Sequence, residues 1–199
     1  TTLYNTVFWG GYEDVQHKPH SFYFSRYPEG IESTVSYPAP EMSFRNDTDS
    51  AIMLKTAYTD TSITVRIYGD NDGRILAGAH RNGSTSFELI AEGGPEARIV
   101  RGSVSDRFDF REPTTEYRPN PELAPGEQIE TQRPDVGWTV VVTRTITEAG
   151  AERERTWTVR YLPQRQILEV APCEVPDSEI PCPTTTTTTT APTTTTTEP

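Results

Sequence analysis

Cysteine, histidine and large apolar residues are scarce in this sequence of 199 residues. It contains two cysteines, three histidines and 33% apolar residues, together with 17 prolines and 13 glycines. This composition disfavours long helices and a single large core. No apolar run approaches the roughly 20 residues that a helix needs to span a bilayer, so we predict no membrane insertion. Short strands joined by turns are the expected structure.

Positive charge is also in short supply. Lys and Arg number 18 against 29 Asp and Glu, which gives a formal net charge of -11. Such a chain repels phosphate backbones and anionic lipid surfaces, which argues against nucleic-acid partners. The acidic surface is most simply a solubility device, and an acidic recognition patch is the alternative.

The start of the sequence shows no export leader. It begins with Thr1 rather than Met, and no charged and apolar segment follows. We therefore expect the chain to be a fragment whose export signal lies upstream.

The two cysteines flank a proline-rich segment. Cys173 and Cys182 are nine residues apart, and no further cysteine or histidine lies nearby. In an exported chain they would close a disulfide loop that contributes about 2 to 3 kcal/mol on the chain-entropy model. A metal site would need two more ligands, so we predict a disulfide, no metal and no cofactor.

The last 17 residues are almost entirely threonine and proline. They contain no large apolar side chain that could offset chain entropy, so we predict that the tail is disordered. Tracts of this composition form stalks outside cells, which indicates an extracytoplasmic location. An unselected low-complexity terminus is the alternative.

Periodic patterns predict a helix end followed by short strands. Leu3, Val7 and Phe8 have helical spacing before a Gly-Gly pair, so residues 1–10 predict the end of a helix. Alternation of apolar and polar residues predicts an antiparallel sheet. Its strands are expected at residues 21–27, 33–37, 42–45, 51–57 and 62–68.

A second alternating region follows a polar, proline-rich stretch. Residues 138–143 and 156–161 alternate and are joined by the polar link 148–151, which predicts a hairpin. We place a boundary near Gly102. The predicted fold class is mainly β (α+β), with an N-terminal helix end packed on an antiparallel sheet, an elongated β-hairpin module and a disordered Thr/Pro tail.

Six short segments in residues 1–69 carry a resemblance through their order and spacing. They are TTLYN at 1–5, PHS at 19–21, RYPEG at 26–30, ESTVSYP at 32–38, FRNDT at 44–48 and YTDTSITV at 58–65. By these segments the chain resembles the VanW family, named for an accessory protein of glycopeptide-resistance clusters. The resemblance implies a bacterial protein of the cell wall or cell surface whose partner is peptidoglycan or another cell-wall polymer. In that family a glycine-rich segment followed by Cys-Gln or Ser-Gln precedes the helix, a place that lies before Thr1.

Residues 103–171 also resemble the G5 module that often follows VanW domains. The shared pieces are NPELAPG at 120–126, Gln132 with Gly137, and the ending at 167–170, whereas Arg133 stands where glycine is commoner. The resemblance implies an elongated β structure linked to cell-wall attachment and amino-sugar binding. We therefore divide the chain into a VanW-like domain at 1–102, a G5-like module at 103–171 and a tail at 172–199.

His20 is the candidate catalytic residue. Imidazole titrates near neutral pH, so His20 could orient or deprotonate the Cys or Ser that the family carries upstream. The alternative is a structural role, in which His20 caps a strand and packs under Phe22 and Phe24. His17 would offer zinc a second nitrogen, but Pro19 disfavours a helical pairing and we predict no metal site.

Five further residues are candidate binding residues. Aromatic rings stack on sugars and guanidinium groups bind carboxylates in a bidentate manner, although aromatic residues of strands also form cores. A nucleophilic Ser21 has no visible carboxylate to orient it. The five residues are Ser21, Tyr23, Arg26, Tyr27 and Asn46.

Three functions follow as hypotheses. The first is an envelope module that associates with peptidoglycan or its precursors and is linked to glycopeptide resistance. The second is an enzyme that acts on cell-wall peptide with an upstream Cys or Ser and the help of His20. The third is a stalked surface adhesin. The sequence does not decide whether the protein is an enzyme.

Overall fold

The computed structural model describes residues 1–69, 80–82, 85–87 and 98–183, so the predicted Thr/Pro tail from residue 184 onward lies outside the described residues. The described residues are mainly β, as predicted. They form the helix α1 (Thr2–Trp9), a 3₁₀ turn (Pro172–Glu174) and thirteen strands. The strands are β1 (Glu13–Gln16), β2 (Ser43–Arg45), β3 (Ile52–Tyr58), β4 (Ile63–Gly69), β5 (His80–Asn82), β6 (Thr85–Phe87), β7 (Ile99–Val104), β8 (Phe108–Arg111), β9 (Thr115–Pro119), β10 (Gln128–Gln132), β11 (Gly137–Glu148), β12 (Ala151–Tyr161) and β13 (Gln166–Val170).

The chain forms two compact units, each made of two stretches of sequence. The first consists of Thr1–Pro113 with Asp135–Gln164, and the second of Thr114–Pro134 with Arg165–Pro199. Gly102, near which the sequence analysis places a boundary, lies within β7 of the first unit. The hairpin β11–β12 also belongs to the first unit, because β11 pairs with β7.

A long hairpin forms the principal sheet of the first unit. Strands β11 and β12 pair antiparallel from Trp138 opposite Tyr161 to Glu148 opposite Ala151, so the predicted hairpin is present. Strand β7 pairs with the other edge of β11, and β8 pairs with β11 as well. The alternating apolar side chains of β11, including Val140 and Val142, are fully buried.

Helix α1 packs on this sheet through Tyr4, Phe8 and Trp9, which belong to the same buried cluster as Val140 and Val142. The guanidinium of Arg144 donates to the carbonyl oxygens of Val7, Phe8 and Tyr12, at 3.3, 2.6 and 2.9 Å. The carbonyls of Val7 and Phe8 also accept backbone hydrogen bonds from the N–H groups of Tyr12 and Gly11, so Arg144 adds a second donor to each and ties the end of the helix to β11. The predicted helix end on an antiparallel sheet is confirmed.

Strands β1–β2, β3–β4 and β5–β6 form two-stranded antiparallel sheets. Two other predicted strands are wrong, since residues 21–27 and 33–37 form turns and extended segments. The N–H of Tyr27 donates to the carbonyl of Phe24 at 2.9 Å, which is a local turn, and the N–H of Ser36 donates to the carbonyl of Pro40 at 2.9 Å. Because these donors are satisfied locally, they are not available to a neighbouring strand.

The second unit contains a three-stranded sheet in the order β10–β13–β9. Strand β13 pairs antiparallel with β10 and parallel with β9. After β13 the chain enters the 3₁₀ turn, and Cys173 is joined to Cys182 by a disulfide. The side chain of Glu174 in this loop accepts a hydrogen bond from the N–H of Gly126 at 2.8 Å.

Candidate functional site

The candidate site is centred on a buried carboxylate that holds a histidine. Nδ1 of His20 lies 2.6 Å from Oε2 of Glu32, and the two side chains are 18% and 1% exposed. If Nδ1 carries the proton that bonds the carboxylate, Nε2 remains as a proton acceptor. The arrangement therefore fixes the orientation of the ring and the nitrogen that is available for chemistry.

Long-range contacts hold the loop that supplies these two residues. The N–H of Thr34 donates to the carbonyl of Lys18 at 2.8 Å, which brings the segments on either side of the loop together. The N–H of Gly30 donates to the hydroxyl of Tyr161 at 2.7 Å. Asn5 of α1 donates to the carbonyl of Ile31 at 3.0 Å. The position of Glu32 is thus set by the helix and by the end of β12.

Burial governs the electrostatics of the site. It raises the pKa of the Glu32 carboxyl above its ordinary value, and the hydroxyl of Tyr161 and the imidazole of His20 oppose that rise. Burial together with the Glu32 charge raises the pKa of the Tyr161 hydroxyl. Among the described residues, Oε1 of Glu32 is buried and has no hydrogen-bond partner.

An aromatic platform surrounds His20. Its ring stacks on Tyr27 with a centroid separation of 5.0 Å and an interplanar angle of 12°, and it meets Phe24 edge to face at 5.7 Å. The guanidinium carbon of Arg26 lies 5.7 Å from the ring centroid of Phe24 and 5.4 Å from that of Tyr27. Aromatic surface and positive charge therefore lie beside the histidine.

An open cavity of about 360 Å³ adjoins the aromatic platform. It is lined by Tyr23, Phe24, Ser25, Arg26 and Asp135. Phe24 contributes to both the cavity wall and the contact with His20, so the cavity and the histidine share a side chain.

Tyr23 forms the inner wall of the cavity. Its ring packs against Trp138 at 5.1 Å and Tyr161 at 5.5 Å, and the guanidinium carbon of Arg107 lies 5.3 Å from its centroid. Arg107 also binds Glu29 at 2.9 Å. The wall is therefore continuous with the core of the first unit.

The structure brings only part of the predicted site together. His20, Arg26 and Tyr27 form one group, and Tyr23 lies in the adjoining cavity. Ser21 is exposed, and its carbonyl accepts a hydrogen bond from the N–H of Leu162 at 2.7 Å.

Asn46 and His17 make other contacts. The side chain of Asn46 donates to the carbonyl of Ser50 at 2.7 Å and accepts from Thr48, so it organises its own turn. The His17 ring lies 4.4 Å from that of Tyr4, and its Nε2 is 3.3 Å from the Tyr4 hydroxyl. In the part of the chain that the structure describes, no group of three or more His, Cys, Asp or Glu side chains could hold a metal ion.

Three residues of the site were missed by the sequence analysis. The sequence gives only a weak indication that Glu32 belongs to the site, namely that a carboxylate comes directly before the predicted strand at 33–37. Tyr161 and Asp135 carried none, since their importance depends on contacts with residues more than 100 positions away.

Comparison with known protein families gives a match for the first part of the chain. Residues 1–68 match the family described as VanW like protein, so the resemblance of this segment is confirmed. That family is associated with the cell envelope and with glycopeptide resistance. A solved chain described as "IgA1 Protease G5 domain structure" is 21% identical, with a TM-score of 0.26, and the match covers 37% of this chain and 88% of that one. No curated protein matches the chain.

No helix among the described residues is long and apolar enough to cross a membrane.

Proposed function

Because residues 1–68 match the VanW-like family, we propose that this protein acts outside the cytoplasm and associates with peptidoglycan or its precursors. The surface that makes the contact is the aromatic platform around His20. The single observation that carries the proposal is the group of His20, Phe24, Arg26 and Tyr27, which presents rings and a cation beside a cavity. Rings of this kind stack on sugars, and a guanidinium binds the carboxylates of wall peptides.

The net charge of the chain indicates that binding to the cell wall would occur at a local site and not through a general electrostatic attraction. With a net charge of -11, the protein is repelled by anionic wall polymers as a whole. Binding would therefore depend on the few groups of the platform and would be strengthened, rather than abolished, when salt screens the overall repulsion.

The proposal includes a division of the chain into three parts. They are a VanW-like domain (1–102), a G5-like module (103–171) that keeps the protein at the wall, and a tail (172–199).

Sedimentation with purified cell-wall sacculi tests the proposal. We expect the wild-type protein to pellet with sacculi, and Phe24→Ala to weaken binding by roughly two- to tenfold, the effect of one aromatic contact. Phe24 is 40% exposed, so its loss should not unfold the unit. Phe110, which is 61% exposed on β8, gives the matched control Phe110→Ala. Wild-type protein that stays in the supernatant at both low and physiological salt refutes the proposal.

A second candidate function is an enzyme that acts on cell-wall peptide. The observation that favours it is the 2.6 Å pair of Glu32 and His20, since a carboxylate that orients a histidine is the usual support of a nucleophile in acyl transfer. The hydroxyl of Thr1 donates to the carbonyl of Ser33, the residue after Glu32, at 3.1 Å, so the start of the helix lies beside the segment that carries Glu32. A Cys or Ser upstream of Thr1 would then enter the first unit close to the pair.

A longer chain that carries the upstream segment tests this second function. Muropeptides incubated with it would be analysed by mass spectrometry for cleaved or exchanged peptides. We expect His20→Ala to abolish the products without lowering the melting temperature, and Glu32→Gln to slow their formation by roughly 10²- to 10⁴-fold. Products that persist at wild-type rate in His20→Ala exclude the mechanism. The surface-adhesin hypothesis rests on the tail and remains a prediction.

A further inference from the structure

We infer that a second cavity of the first unit, on the hairpin β11–β12, binds a phosphate group or another tetrahedral oxyanion with two negative charges. The cavity has a volume of about 390 Å³ and shares no lining residue with the cavity beside the aromatic platform. Its charged lining residues are Arg45, Arg144, Arg153, Arg155, Glu13 and Glu154. The inference goes beyond the proposed function and does not depend on it.

The strand register places three of the arginines on one face of the hairpin. Arg144 of β11 is directly opposite Arg155 of β12, and Arg153 is opposite Ile146. Directly opposite residues have Cβ atoms about 4.5 to 5.5 Å apart, and residues two apart in a strand lie on the same face. Like charges in this arrangement repel each other, and an anion bound between them removes the repulsion. The concentration of positive charge is therefore set by the backbone.

Arg144 is the buried member of the set. Its side chain is 4% exposed, and its guanidinium donates to the carbonyl oxygens of Val7, Phe8 and Tyr12. Because carbonyl groups are uncharged, these bonds fix the position of the guanidinium without neutralising its charge. A fixed positive charge thus lines the cavity, and its buried surroundings strengthen its attraction for an anion.

Arg45 and Arg153 form ion pairs that leave donors for a ligand. Nη1 of Arg45 lies 3.3 Å from a carboxylate oxygen of Glu13. Nη2 of Arg153 lies 3.6 Å from carboxylate oxygens of Asp47 and Glu148, which is beyond the hydrogen-bond distance of about 2.7 to 3.2 Å. Since a guanidinium has five N–H donors, each of these two arginines can bind an anion in the cavity while its ion pairs persist.

The charge of the cavity selects the class of ligand. Four arginines and two glutamates give its lining a formal charge of +2, which a dianion neutralises. Guanidinium groups bind phosphate oxygens in pairs, and a tetrahedral oxyanion offers oxygens to several guanidinium groups at once, whereas a carboxylate has only two oxygens. The chain as a whole has a charge of -11 and repels anions, so binding would depend on this local cluster.

Titration of the full chain with four anions tests the inference. The anions are inorganic phosphate, sulfate, dimethyl phosphate and acetate, and at about pH 8 the first two carry mainly two charges and the others one. In isothermal titration calorimetry at constant ionic strength, we expect phosphate and sulfate to bind with similar affinity. We expect both to bind at least about tenfold more tightly than either monoanion, since a lost charge-assisted contact costs that factor or more.

Two variants test whether arginines of different strands act on the same anion. Arg45→Gln on β2 and Arg155→Gln on β12 should each weaken phosphate binding at least about tenfold. Arg160→Gln is the matched control, because Arg160 lies on the same strand as Arg155 but on its other face, is 64% exposed and does not line the cavity. It removes the same charge and should change the affinity by less than about twofold.

Two results would overturn the inference. One is phosphate that fails to bind, or that binds no more tightly than acetate. The other is a loss in Arg160→Gln as large as that in the cavity variants, which would show that the anion responds to overall charge and not to this site.

Glycerol 3-phosphate distinguishes the two sources of the phosphate group. If it binds as tightly as inorganic phosphate or more tightly, the ligand is a phosphorylated molecule, and if it binds more weakly, the ligand is the free ion; the anion site stands in both cases. None of these measurements involves sacculi, so the inference and the proposed function can fail independently.

Discussion

A double-mutant cycle of His20→Ala and Glu32→Gln measures the coupling between the two residues at the centre of the site. The single variants and the double variant are unfolded in urea, and the coupling free energy is the part of the double change that the single changes do not add up to. A hydrogen bond between charged groups contributes about 1.5 to 3 kcal/mol. Glu32 is buried but His20 is 18% exposed, so solvent screens the pair in part and we expect a coupling of about 1 to 2.5 kcal/mol.

The pH dependence of the same variants has a defined sign. The pKa of Glu32 is raised in the folded protein, and such a carboxyl contributes stability that is complete below its unfolded pKa and is lost as pH rises through the folded pKa. Gln does not titrate. The free energy of unfolding of the wild type relative to Glu32→Gln should therefore decrease as pH rises from about 4.

Tryptophan fluorescence makes the measurement specific to the unit that contains the site. All three tryptophans, Trp9, Trp138 and Trp157, lie in the first unit, so the signal reports its unfolding alone. Single changes that add within about 0.5 kcal/mol would refute the buried pair as the organiser of the site, and a relative stability that rises with pH would refute burial as the dominant influence on the Glu32 pKa.

Two further predictions concern stability. Gly30 has φ +71°, and a Cβ at this position would lie 2.5 Å from a side-chain carbon of Val142, so we expect Gly30→Ala to lower the free energy of unfolding by about 2 to 4 kcal/mol. Gly150 has φ +77° but open space around it, so Gly150→Ala should lower the free energy of unfolding by only about 1 kcal/mol. Similar losses in the two variants would show that crowding against Val142 contributes nothing. Replacing Cys173 and Cys182 by Ser should destabilise the second unit by about 2 to 3 kcal/mol, which can be measured from the exchange of the amide hydrogens of β13. If these amides are as protected from exchange in the variant as in the oxidised wild type, the disulfide does not stabilise the unit.

The elements that the sequence predicts well are those whose pattern is regular and whose partner is close. Helix α1 and the hairpin β11–β12 have clear periodicity, and β11 meets β12 across a two-residue turn. Residues 21–27 alternate just as regularly, but their aromatic rings are held by separate partners: Tyr23 packs on Trp138, and Tyr27 on His20. Alternation of apolar and polar residues does not reveal that these two side chains pack against different parts of the unit.

The candidate site was predicted only in its local part. His20, Arg26 and Tyr27 are close in sequence, and their chemistry alone makes them candidates. Glu32 is recognised as the partner of His20 only when the loop closes, which depends on the contact of Gly30 with Tyr161, 131 positions away. Contacts of that range are fixed by tertiary packing, and a single sequence contains no local trace of them.

The most direct test of the proposed wall-binding surface is a nuclear magnetic resonance titration of the full chain with soluble muropeptides. We expect the largest chemical-shift changes on His20, on residues 23–27 and on Asp135, and we expect them to diminish in Phe24→Ala. Shifts confined to β9, β10 and β13 of the second unit, or no shifts at all, would contradict it.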